Sequence, residues 1–406
     1  MDNGTLKQWP KLILSAFILF SASSHAYVND TPGQRLNNSA ELTCFSDTSA
    51  AEFGQICGIN QSEAMSPDEL AQVGDSYYYG DHGELDYAKA AHWYRKAAVK
   101  GLPYAQFSLG FMYTKGEGVP QNTWLALKWL RKAADSGFAA AQYTVGDMYY
   151  YGEGVSRDFD QTLHWYRKAA EQGYSYAQYS LGYMYKKGEG VEQDYGVAWE
   201  WLQKAASQGH AEAQASIGFM FLNGEGLLPD AKRAYRWFLL AAEQGHPAAQ
   251  TNLGFMYRTG TAVEQDFAQA IHWFTAAANQ GYASALSSLG YMYHQGIGVA
   301  RDIEAAAKWY QLAGNRGEPT AQFNLALLYM NGEGIHQNLS QAVHWFTLAA
   351  RQGDIEAQFY LGQLYRNGWG VAQDLNQAFM WYRQAEKHGH KKARRELELL
   401  AEQFSA

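Results

Sequence analysis

At 406 residues the chain exceeds what one hydrophobic core usually organises, about 250–300 residues, so several domains or a repeat array are expected. Hydrophobic residues make up 47% and aromatic residues 15% of it, which excludes an intrinsically disordered chain. The formal net charge of −8 leaves no electrostatic footprint for nucleic acid, and no nucleic-acid partner is expected.

Residues 1–26 read as a cleaved secretory signal. Lys7 and Lys11 precede an apolar run from Leu12 to Ala22, and Ser24-His25-Ala26 places small residues where a signal peptidase reads. The run is shorter than the ~20 apolar residues of a comfortable membrane span, although an uncleaved anchor is the alternative. Cleavage near Ala26 would put the mature chain in the periplasm or outside the cell. It would remove Asp2, Lys7 and Lys11, leaving a net charge of −9. No later segment reads as membrane-spanning. Residues 27–65 form a leader holding the chain's two cysteines, Cys44 and Cys57. In an oxidising compartment a disulfide between them is the default, and the closed loop is short enough to hold its value to ~3 kcal/mol.

From Ser66 to Gly389 the chain repeats every 36 residues, nine times. Tryptophans keep the step from Trp93 to Trp381, and glycines keep it from Gly101 to Gly389. A period of this length predicts stacked helix–turn–helix modules, since one hairpin cannot bury its own apolar faces. In the repeat from Leu102 to Gly137, Ala105, Leu109 and Met112 form the stripe of a first helix, with Gly110 beside it for close helix approach. Gly116-Glu117-Gly118-Val119 turns the chain, Asn122 suits the N-cap of a second helix, and Ala126, Trp129, Leu130 and Ala133 make its stripe. Gly137 ends it. Ser66-Pro67-Asp68-Glu69 predicts a capping box at the start of the array. Residues 390–406 predict a closing helix whose Leu397, Leu399, Leu400 and Ala401 cover the last repeat. Two connections depart from the pattern and are expected to be looser or more exposed: Gly260-Thr261-Ala262-Val263 in the sixth repeat, and the pair Gly80 and Gly83 in the first.

The pattern A-x3-LG-x-MY-x2-G-x-GV-x2-D-x3-A-x2-W-x3-AA-x2-G resembles the Sel-one-like repeat, a relative of the tetratricopeptide repeat, over about 80% of the chain. The resemblance implies an all-α, right-handed α-solenoid of nine 36-residue repeats, of the bacterial secreted or periplasmic type. It also implies a non-enzymatic adaptor for other proteins, in envelope regulation or at a host interface. A cysteine-rich branch of the family is linked to penicillin binding; the repeats here hold no cysteine, so that role does not carry over. Two alternatives stand beside the scaffold: a peptidoglycan-associated factor modulating a cell-wall enzyme, and a weak penicillin-interacting hydrolase.

No catalytic, cofactor-binding or metal-binding residues are expected. The Gly-x-Gly-Val connections follow helices and lack a P-loop lysine. His92, His164, His272 and His344 share one register but lie two or three repeats apart, too far to share a metal. Glu117, Glu153, Glu189, Glu225 and Glu333 form a row expected to be exposed on loop tips. The candidate binding residues are aromatic. Phe111, Tyr183, Phe219, Phe255 and Tyr291 follow the first-helix glycine. One turn earlier stand Phe107, Tyr143, Tyr179, Phe323 and Phe359. They are expected either to form a ladder in the concave groove for a partner polypeptide or to pack between repeats.

Overall fold

A computed structural model describes residues 65–405, apart from positions 82 and 84, with side chains placed as far as residue 402. The segment expected to be a signal and most of the expected leader, including Cys44 and Cys57, lie outside the described residues.

Nineteen helices and no strand are present among these residues. The first helices of the nine repeats are α1 (Pro67–Tyr79), α3 (Pro103–Lys115), α5 (Ala139–Tyr151), α7 (Ser175–Lys187), α9 (Ala211–Asn223), α11 (Pro247–Thr259), α13 (Ala283–Gln295), α15 (Pro319–Asn331) and α17 (Ile355–Asn367). The second helices are α2 (Tyr87–Val99), α4 (Thr123–Asp135), α6 (Phe159–Glu171), α8 (Tyr195–Ser207), α10 (Ala231–Glu243), α12 (Phe267–Asn279), α14 (Ile303–Gly314), α16 (Leu339–Arg351) and α18 (Leu375–Lys387). The closing helix is α19 (Lys391–Ser405). The chain is an all-α solenoid. Its helices pack as two compact bodies, one ending at Met148 and taking in Gly152–Ser156, the other made of Tyr149–Tyr151 and Arg157–Ala406.

Local chemistry sets the helix ends. The Asn122 side chain accepts the Leu125 N–H at 2.9 Å, and Asp158, Asp266, Asp302 and Asp374 cap their own helices in the same way. Ser66 and Glu69 form the reciprocal capping box. Within each hairpin the two helices approach closely because the first carries glycine at the crossing. A Cβ on Gly110 would lie 2.7 Å from Leu130, and one on Gly254 would lie 2.6 Å from the Phe274 ring. The core beneath is alanine-rich. Ala126, Leu130 and Ala133 are fully buried in α4, as are their counterparts Ala270, Phe274 and Ala277 in α12.

Successive repeats are joined by a feature that the apolar pattern hides. Buried glutamines reach back eight residues and donate Nε2 to a carbonyl at the end of the preceding second helix: Gln106 to Ala98 at 3.1 Å, Gln178 to Ala170 at 3.0 Å and Gln322 to Gly314 at 2.9 Å. Their Oε1 atoms accept from a glutamine 30 residues on. Gln208 donates to Gln178, Gln244 to Gln214, Gln280 to Gln250 and Gln352 to Gln322, at 2.7–2.9 Å. The Oε1 atoms of Gln106 and Gln358 are buried without a partner; Ser136 and His388 stand in the donor places.

Three expectations need correcting. The sixth connection is not looser: Ala262 takes φ 70°, the left-handed value of glycine at the equivalent positions Gly190 (69°) and Gly298 (71°). In seven other repeats this position is glycine because a side chain would strike the residue 31 positions earlier; a Cβ on Gly190 would lie 2.5 Å from Phe159. The residue 31 positions before Ala262 is Ala231, which offers no bulk. The glutamate row is half-buried rather than free. Tyr78 donates to Glu117 at 2.8 Å, Tyr150 donates to Glu189, and Lys186 pairs with Glu225 at 2.8 Å. These three glutamates thus meet the preceding repeat's first helix. Finally, α19 covers the last repeat with Ala393, Leu397 and Leu400, while Leu399 and Ala401 are exposed.

Candidate partner-binding surface

The two aromatic rows share their helices and differ in surroundings. In the earlier row Phe107, Phe323 and Phe359 are buried, and Tyr143 and Tyr179 are half-buried. The Phe107 ring lies 5.3 Å from Phe138, Tyr179 stacks on His210 at 4.9 Å, and Phe359 stacks on His390 at 4.3 Å. Each of these partners sits at the N-cap of the next first helix or of α19. This corrects the groove reading for Phe107, Phe323 and Phe359: their surface is spent on packing. Burial also pushes the Tyr179 phenol up.

The later row is less buried. Phe111, Tyr183, Phe219 and Phe255 are half-buried and Tyr291 is 40% exposed. Phe219 and Phe255 rest edge-on against Phe238 and Phe274, at 5.0 and 5.1 Å. Cations sit over this row: Lys115 over Phe111 at 5.7 Å, Lys187 over Tyr183 at 6.0 Å, and Arg258 over both Phe255 and Tyr291 at 5.3 and 5.6 Å. Burial pulls the Arg258 guanidinium below its ordinary range. Rings on rigid helices with adjacent cations can grip a polypeptide by apolar contact and charge-assisted hydrogen bonds. Sequence reasoning missed Arg258. The signal was present, because position 258 lies one turn after Phe255 and one repeat before His294.

The histidines take structural places. His92, His164, His272 and His344 are exposed and meet the following tryptophan edge-on at 5.1–5.6 Å. His210, His246 and His390 cap helices, each Nδ1 accepting a backbone N–H three residues on. Burial holds His210 and His246 below the usual imidazole range, with Glu212 opposing the shift. Among the described residues no three metal-ligating side chains come together. No described helix is long and apolar enough to cross a membrane.

Comparison with known proteins agrees with this geometry. The chain matches the Sel1 repeat nine times in tandem, over residues 70–102, 103–138, 139–174, 175–210, 211–246, 247–282, 283–318, 319–354 and 355–390. A protective antigen of uropathogenic Escherichia coli with the SLR fold is 33% identical, with a TM-score of 0.65 over 83% of this chain and 80% of that one. A Sel1 repeat protein from Oxalobacter formigenes is 32% identical, with a TM-score of 0.60 over 83% of this chain and 94% of its own. An Arabidopsis thaliana ERAD-associated E3 ubiquitin-protein ligase component, HRD3B, is 30% identical over 121 residues, 27% of this chain. The chain spans at most a fifth of the length of the curated relatives it matches. The protein belongs to the Sel1-repeat family, whose repeats serve as protein–protein interaction scaffolds and are generally non-catalytic.

Proposed function

We propose that this Sel1-repeat chain is a non-enzymatic scaffold of the bacterial periplasm or secreted space, holding a partner polypeptide along the face carrying Tyr183, Phe219, Phe255 and Tyr291. The observation that carries the reading is the half-buried row of rings with Lys187 and Arg258 over it. Large rigid side chains and arginine are the residues that dominate protein interfaces. The signal-like residues 1–26 support export, and so does a relative that is a protective antigen.

A photo-crosslinking residue at position 291, compared with one at exposed His272 on a second helix, tests the surface in intact cells. Position 291 should give a discrete adduct that Tyr183→Ser removes while the melting temperature holds. Equal adducts from both positions would refute the surface. Export is checked by N-terminal sequencing of the protein recovered outside the cytoplasm, which should begin at Tyr27.

A further inference from the structure

In four of the first helices one side chain of the last turn meets the connection of the next repeat. Tyr78 donates to Glu117, Tyr150 to Glu189, Lys186 pairs with Glu225, and His294 approaches Glu333 at 4.0 Å. Each of these carboxylates stands 39 residues on. At the end of the array Arg366 pairs instead with Glu396 of α19. Arg258 occupies this same position in the sixth repeat, and 39 residues on stands Ile297. No carboxylate of the described chain pairs with Arg258, and its Nε is buried without a hydrogen-bond partner. Phe255 and Tyr291 cover it at 5.3 and 5.6 Å. A guanidinium taken partly out of water and left without a counter-charge is unfavourable, and ring faces return only part of that cost.

We infer that Arg258 receives an Asp or Glu side chain of the partner polypeptide, seated between the Phe255 and Tyr291 rings in the place that Glu225 and Glu396 fill for Lys186 and Arg366. The inference rests on the scaffold reading and names the partner's chemistry. A carboxylate matches the planar donor fork in two parallel hydrogen bonds. The row runs on before the site through Phe219, and Leu327 takes the same register after it, so the segment passes through and offers an internal acidic side chain. Other partner residues would lie against the neighbouring rings.

The test uses the full chain and two acetylated, amidated heptapeptide libraries, randomised except for a central Glu or a central Gln, with binding read by fluorescence anisotropy. The wild type should bind the Glu library at least about tenfold more tightly, the scale of a charge-assisted hydrogen bond over a neutral one. Arg258→Leu should bring the two libraries level, and Arg258→Lys should keep part of the preference. If Arg258→Leu fails to fold, the Arg258 Nε–H resonance of the wild type decides, since the Glu library alone should shift it. Wild-type binding with no preference between libraries overturns the inference and leaves the scaffold reading standing. So does a preference that survives Arg258→Leu. No binding of either library overturns both.

Discussion

Phe107 and Phe111 stand one turn apart on α3, yet one is buried and the other half-buried. The same contrast separates Tyr179, stacked on His210, from Tyr183 beneath Lys187. Amphipathic spacing places both members of each pair on one side of the helix, so it cannot tell them apart. What separates them is the residue the next repeat presents. The earlier ring meets a bulky N-cap 31 residues on (Phe138, His210 or His390), while the later ring meets rings of its own repeat and a long cationic side chain. Burial in a stacked array is decided by register between repeats more than by pattern within one.

Several experiments can break or sharpen this contrast. The largest effect is expected from Phe107→Ala and Phe359→Ala, each destabilising by about 3–5 kcal/mol in urea unfolding, against less than about 1 kcal/mol for Tyr291→Ala. Equal losses would erase the distinction between the rows. Next come Gly218→Ala and Gly254→Ala, which push a Cβ to within 2.7 and 2.6 Å of a buried ring. The helix-propensity gain should not offset overpacking, and a net loss of about 1–3 kcal/mol is expected. The N-cap histidines give the buried row a pH dependence that the outer row lacks. Burial depresses the folded-state affinity of His210 and His246 for protons, so the unfolded chain binds more of them as pH falls. Stability present above about pH 6.5 is therefore lost on acidification, by at most about 1.4 kcal/mol per histidine per pH unit. Replacing both with Asn, which keeps a cap, should flatten the melting temperature between pH 7.5 and 5.5; an unchanged slope would place the effect elsewhere. The smallest change is Ala262→Gly, expected to stabilise by about 1 kcal/mol or less by relieving a left-handed alanine.

Much of the fold was legible because one period fixes helix lengths, caps and turns nine times over. Asn122, Asp158 and Asp374 as caps, and Gly110 as a close-approach site, follow from residue type and position alone. The glutamines of the connecting ladder were not legible. Gln178 sits beside Ala177 in a helical stripe and reads as surface until the preceding helix end is brought against it. Glu117 and Glu189 read as exposed loop residues for the same reason, since their tyrosine donors lie 39 residues earlier in sequence. The binding row was half legible. Its helices and spacing were visible, and the burial of Phe107 and Phe359 emerged only once neighbouring repeats were stacked. Arg258 drew no notice because its significance lies in a missing acid, Ile297 where a glutamate would serve, and absence is visible only by comparing repeats.

The glutamine ladder bears on how such a chain can lengthen over time. Both halves of a rung lie 30 residues apart inside a 36-residue period, as in Gln178 and Gln208 or Gln214 and Gln244. A gene segment copied once therefore inherits a complete joint and splices into the array without a seam. In the seventh repeat Leu286 and Arg316 stand at the two positions, so neither half of a rung is present there without the other.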